Sequence, residues 1–210
     1  MTSFTRDWSA GSTAILACGP SLTRAQAEHC RGRARIVAVN CAIEVAPFAA
    51  ALYACDARWW EHYGAAVPAG VERFTQLPAD PSDVAARRQR AAVAQFKLNT
   101  LPGYRGAGLE PRGLRYGFNS GHQAINLAAL FGARRIVLLG FDMQPRDGRE
   151  HFHAPHPWAR LQPADKYAKH IAAMVVLASD CAAAGVEVLN ASADTALSCF
   201  RRVNLERALP

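Results

Sequence analysis

Short apolar runs rich in β-branched residues recur along this chain, and each is followed by a turn residue and then a helical stretch. That alternation marks an α/β fold with a mostly parallel sheet, because a parallel neighbour can be reached only through a crossover, usually a helix. A first strand spans residues 13–18 and is closed by Gly19, Pro20 and Ser21. Ser21 or Thr23 then opens a helix to about Cys30, the hydroxyl capping free amides. Further strands are expected at residues 35–40, 51–55 and, more briefly, 74–77, with short helical segments at 42–45 and 58–63. Residues 135–140 form a continuous apolar run, as a central strand buried on both faces should. A last strand lies at 186–190, after a long helix that starts at Pro163 or Asp165 and is ended by Gly185.

Two passages interrupt this rhythm. Residues 78–117 hold one helix (83–96) and then a Gly/Pro-rich stretch, read as an irregular insertion or lid, since long irregular segments in compact domains tend to be functional or mobile. Residues 142–163 form a loop rich in His, Pro and Trp. The helix between them, 120–132, carries Ile125, Ala128 and Ala129 on one face and ends at Gly132. The tail from Ser198 adds a helical turn or two. Repeats, low-complexity tracts and interdomain linkers are absent, so residues 1–210 read as one domain.

Half of the residues are hydrophobic and 20% are charged, which excludes collagen-like, disordered and coiled-coil chains. No apolar run approaches the roughly 20 residues of a membrane span, and residues 1–14 lack the basic region and apolar core of a signal peptide. These features point to a cytoplasmic protein. The formal net charge of +7 favours anionic partners such as nucleotides or nucleic acid, without choosing among them. Arg87, Arg88 and Arg90 form the densest basic cluster and read as a solvated face. The six cysteines include no CxxC pair and no zinc-finger spacing, so they read as reduced core thiols.

In an open parallel sheet, ligands bind beyond the carboxyl ends of the strands. At that edge the sequence places Gly19, Pro20, Ser21, Asn40, Asp56, Asn119, Ser120, Gly121 and Asp142, with Asn190 and Ser192 after the last strand. One such residue is ordinary turn chemistry; a row of them describes a polar-ligand cleft. Gly19 permits close backbone approach, and the helix starts behind Ser21 and Asn119 offer amides to an anion. Neither a GxGxxG nor a Walker A pattern is present. His151, His153 and His156 fall within six residues, but no acidic partner follows at metalloenzyme spacing. They read as ligand contacts or as a general base, and no metal site is expected. Trp59, Trp60, Trp158 and Tyr167 read as packing residues, with stacking on a base or sugar as the alternative.

The run Ile15-Leu-Ala-Cys-Gly-Pro-Ser-Leu22, the Val39-Asn40 pair, residues 119–128 (Asn-Ser-Gly-His-Gln-Ala-Ile-Asn-Leu-Ala) and residues 132–142, which end in Gly-Phe-Asp, carry a resemblance. Together they resemble the bacterial sialyltransferases of glycosyltransferase family 42 and the related archaeal 6-hydroxymethylpterin pyrophosphokinases. They are also similar to short proteins encoded by phages and prophages. The resemblance spans roughly residues 13–156 and implies a Rossmann-like domain with helices on both faces of a mostly parallel sheet. It implies a nucleotide-sugar substrate, no tightly bound cofactor and no essential metal. Gly19, Pro20, Ser21, Asn40, Ser120, Gly121 and Asp142 would surround the nucleotide, and one of His151, His153 or His156 would act as base. The tyrosine pair that follows the Asp in the sialyltransferases is replaced here by Met143 and Gln144. The pyrophosphokinase alternative would bind ATP with magnesium on Asp56 and Asp142. A third alternative is a non-catalytic nucleotide- or DNA-binding phage protein. The acceptor stays open, and association into an oligomer is compatible with the sequence.

Overall fold

Strands that are apolar on both faces must be covered on both, and helices from the crossovers supply the cover. A computed structural model describes residues 6–78, 80, 84–158 and 165–210. In chain order the elements are β1 (Thr13–Leu16), α1 (Arg24–Cys30), β2 (Arg35–Val39), a 3-10 turn over Asn40–Glu44, β3 (Ala51–Tyr53) and α2 (Ala57–Tyr63). Then come β4 (Glu72–Leu77), α3 (Val84–Phe96), β5 (Asn99–Tyr104), β6 (Leu114–Arg115), α4 (Ser120–Leu130) and β7 (Arg135–Leu139). The chain closes with α5 (Lys166–Ala183), β8 (Glu187–Asn190), β9 (Arg201–Arg202) and α6 (Leu205–Ala208).

Among the described residues, nine strands form one sheet in the order β6-β5-β4-β3-β2-β1-β7-β8-β9. Every pairing is parallel, not merely most of them. Side chains alternate across it. Leu16, Ile36, Ala38, Leu52 and Leu139 pack with α1, α2, α3 and α6 on one face. Ile15, Val37, Tyr53, Ile136 and Leu138 pack with α4 and α5 on the other. The α/β domain with helices on both faces is therefore as expected. No helix among the described residues is long and apolar enough to cross a membrane.

Two local readings change, and a third is decided between its alternatives. Of Ser21 and Thr23, it is Thr23 that opens the first helix, which begins at Arg24. Thr23 caps it in a capping box, its Oγ1 accepting from the Gln26 amide at 3.2 Å while Gln26 Oε1 accepts from the Thr23 amide at 2.8 Å. The stretch read as irregular within 78–117 contributes two strands, β5 and β6. Its Pro102 and Gly103 masked the pattern, yet β6 pairs only with Gly103 and Tyr104, so Pro102 lies where ladder bonds on that side are few. The tail holds β9 as well as a helical turn, because Arg201 and Arg202 find a partner in β8. The expected helix start at Pro163 lies outside the described residues.

Candidate functional site

All strands of a parallel sheet end on one edge, and loops diverge where the strand order reverses. Here the reversal lies between β1 and β7, because β2 to β6 extend to one side of β1 while β7 to β9 extend to the other. A cleft of about 920 Å³ opens at that point. Its floor is made by Cys18, Gly19, Gly140, Phe141 and Asp142, at the ends of β1 and β7.

The junction of those two ends is tight. The Gly19 amide donates to the Gly140 carbonyl at 2.9 Å. A Cβ on Gly19 would stand 2.4 Å from that oxygen and 2.6 Å from Asp142 Cγ, so only glycine fits. The Asp142 carboxylate, 2% exposed, accepts from the Ser21 amide at 2.7 Å and from Ser21 Oγ at 2.5 Å. Burial pushes the Asp142 carboxyl above its usual range, against the pull of the Ser21 bonds. The Gly-Pro-Ser turn is thus clasped by Asp142, and its Ser21 amide already has an acceptor. Pro20 and Ser21 do not line the cleft, unlike Gly19, Asn40, Asp56, Asn119, Ser120, Gly121 and Asp142.

Each of the other nucleotide candidates has a local reason for its position. Asn40 leaves β2 with φ +51, a left-handed conformation that asparagine tolerates better than most residues, and so turns the chain into the cleft wall. Asp56 caps α2 by accepting from the Arg58 amide at 2.9 Å, and it also holds the Arg58 guanidinium, with its Nη2 at 2.6 Å. Burial pushes the Asp56 carboxyl up, but those Arg58 contacts outweigh it and hold the group below its usual value. Asn119 caps α4 by accepting from the His122 amide at 2.8 Å and donates to the Gly117 carbonyl at 3.1 Å. Ser120 Oγ lies 3.1 Å from Cys55 Sγ, and Gly121 packs against the Phe141 ring. Asn190 and Ser192 serve the scaffold instead: Ser192 Oγ accepts from the Phe141 amide at 2.9 Å, and Asn190 Oδ1 accepts from the Ser192 amide at 3.1 Å.

The histidine loop forms the outer wall. The Phe152 amide donates to the Cys18 carbonyl at 3.1 Å, which pins the loop over β1 and turns His151 and His153 to the cleft. The His151 and His153 rings stack at 5.1 Å with planes 5° apart, and His156 stacks on Trp158 at 4.7 Å. His153 Nδ1 lies 2.7 Å from the Ala154 carbonyl, and His156 Nδ1 lies 3.1 Å from the Tyr63 hydroxyl. His151 has no hydrogen bond among the described residues. Burial, reinforced by His153, holds it down at about 4, so its imidazole is neutral at pH 7. The loop also approaches Cys41, in the 3-10 turn after β2. One ligating atom each from Cys41, His153 and His156 lies within 4.8 Å of the others.

Several lining residues escaped the sequence reading: Arg58, Arg149 and Lys166 bring cations to the cleft, and His170 reaches it from α5. Tyr167, read as packing with stacking on a ligand as the alternative, lines the cleft from the same helix. Lys166 Nζ meets Glu150 of the histidine loop at 2.5 Å. The buried Tyr167 hydroxyl has no hydrogen-bond partner among the described residues. Helical spacing was the available signal, since residues 166, 167 and 170 share one face of α5. Trp59 and Trp60 are packing residues as expected, whereas Trp158 lines the cleft. No protein-family model matches the chain, and no curated protein matches its sequence.

Proposed function

We propose that this chain is a nucleotide-dependent transferase, most directly a glycosyltransferase that draws on a nucleotide-sugar donor, as its resemblance to the family 42 sialyltransferases implies. The observation that carries the reading is the cleft at the strand-order reversal. Among the described residues it joins Arg58, Arg149 and Lys166 to a wall of imidazoles and to a tyrosine hydroxyl that has no hydrogen-bond partner there. Arg149 and Lys166 suit the donor's phosphates, and Trp158 offers a ring to a base or sugar.

In the proposed reaction, His151 takes the proton of an acceptor hydroxyl. The hydroxyl oxygen then bonds to the anomeric carbon, and the bond from that carbon to the donor phosphate oxygen breaks. The nucleotide leaves with the electron pair, its charge met by the neighbouring cations. The magnesium-dependent kinase reading is less well supported, because its two carboxylates are engaged: Asp56 holds Arg58 and Asp142 holds Ser21.

Thermal unfolding with a panel of nucleotides and nucleotide sugars, with and without magnesium, tests this. A ligand at 100 times its Kd stabilises the native state by about 2.7 kcal/mol. A shift with a cytidine or uridine nucleotide that needs no magnesium is the expected result. A shift only with ATP and magnesium would move the assignment to phosphoryl transfer, and no shift with any member would overturn it.

A further inference from the structure

We infer that Cys41, His153 and His156 form a binding site for a single zinc-type divalent ion at the edge of the cleft. The inference stands whichever reaction the cleft performs, since it rests on the three side chains and their supports.

Their ligating atoms lie within 4.8 Å of one another, and the histidines come from a loop far from Cys41 in sequence. Two imidazoles and one thiolate are the donor set that borderline-soft ions such as zinc prefer over magnesium or calcium. The surrounding bonds orient that set. Each imidazole uses Nδ1 elsewhere, His153 toward the Ala154 carbonyl at 2.7 Å and His156 toward the Tyr63 hydroxyl at 3.1 Å. Nε2 is therefore the nitrogen left for a metal on both rings, and on His153 the Ala154 carbonyl, which can only accept, places the proton on Nδ1. Burial pushes the Cys41 thiol up to about 12, and the Trp59 indole N–H, which donates to Sγ at 3.4 Å, offsets only part of that. On binding, a sulfur–metal bond replaces the S–H bond and the proton leaves to solvent.

Cys41 is buried, at 1% exposure, while His153 and His156 line the cleft. Three protein ligands leave a fourth tetrahedral position, and in zinc sites of this kind it is taken by water or substrate. The ion would also tie the histidine loop to the turn after β2, holding the cleft wall in place.

Cobalt(II) is the probe, titrated into chelator-treated full-length protein and followed by absorption. The expected result is one ion per chain, with a thiolate-to-cobalt charge-transfer band and visible bands of tetrahedral intensity. Cys41→Ser should abolish the charge-transfer band, and Cys18→Ser, the alternative thiol in the cleft, should leave it. Tyr63→Phe, which removes the hydroxyl that contacts His156 Nδ1 and also bonds to Cys41, should weaken binding by about ten- to a hundredfold. Absence of the band in the parent protein, or its survival in Cys41→Ser, overturns the inference. If Cys41→Ser does not fold, the double variant His153→Ala/His156→Ala decides: unchanged cobalt affinity overturns the site, and loss of tight binding supports it.

Discussion

Asp142 at the end of β7 holds Ser21 by two hydrogen bonds, one to its amide at 2.7 Å and one to its hydroxyl at 2.5 Å, across 121 residues of chain. The clasp closes the turn after β1 against the strand that succeeds it in the sheet. Asp142→Ala would leave two buried donors without a partner, at about 1–3 kcal/mol for each such group. Asp142→Asn keeps one acceptor oxygen and should cost less. Urea unfolding of the ligand-free variants checks this; equal stability of Asp142→Ala and the parent would show that the clasp contributes nothing to the fold.

Gly19→Ala should be among the most damaging small substitutions in the chain. Its methyl group would stand 2.4 Å from the Gly140 carbonyl oxygen and 2.6 Å from Asp142 Cγ, a carboxylate that the Ser21 bonds hold in place. Overpacking of this kind costs about 1–3 kcal/mol or more. At Gly148, where nothing lies within 4 Å of a Cβ and only the φ of +72 resists, Gly→Ala should cost about 1 kcal/mol. Paired thermal melts of the two variants provide the comparison.

Stability should fall as pH drops from 7 toward 4, and His122 should account for part of the fall. Its ring is fully buried and its Nε2 accepts from the Gly108 amide at 3.1 Å. Burial holds its pKa down at about 4, from an ordinary value of 6.5. Between those values the unfolded chain binds a proton that the folded chain refuses, so acidification favours unfolding. The contribution is at most about 1.4 kcal/mol per pH unit. Urea midpoints at pH 7, 6 and 5 should therefore diverge less in His122→Gln than in the parent; parallel slopes would show that His122 titrates normally.

Lys166→Ala and Arg149→Ala should weaken binding of whichever nucleotide gives the thermal shift. A charge-assisted hydrogen bond to phosphate contributes about 1.5–3 kcal/mol, or roughly ten- to a hundredfold in Kd. Arg201→Ala, whose cation pairs with Glu187 beside β8, should leave affinity unchanged. Isothermal titration of the three variants separates a cleft-specific loss from a general effect of removing positive charge.

Much of the scaffold was legible because it is local. The apolar runs of β1, β2 and β7 and the capped helices α1, α2 and α4 depend on residues two to four positions apart, which sequence patterns register directly. β5 was missed because Pro102 and Gly103 imitate a loop, and β6 because it is two residues long and follows Pro111 and Gly113. What makes them strands is pairing with β4 and with each other, and pairing is not written in composition. The cleft candidates Gly19, Asn40, Asp56, Asn119 and Asp142 were found for the same local reason: each follows a strand or opens a helix.

By itself, then, the sequence determined which segments are strands buried on both faces, where many of the turns fall, and which polar residues reach the carboxyl edge. Only the tertiary structure decided what those residues do there. Placing β7 beside β1 turned Asp142 from a free carboxylate into the clasp of Ser21, and packing α2 beside the turn after β2 brought Trp59 to the Cys41 sulfur. It also carried Lys166 and the histidine loop to one cleft. Strand order and crossover path set such contacts, and they join residues too far apart in the chain for any local periodicity to register.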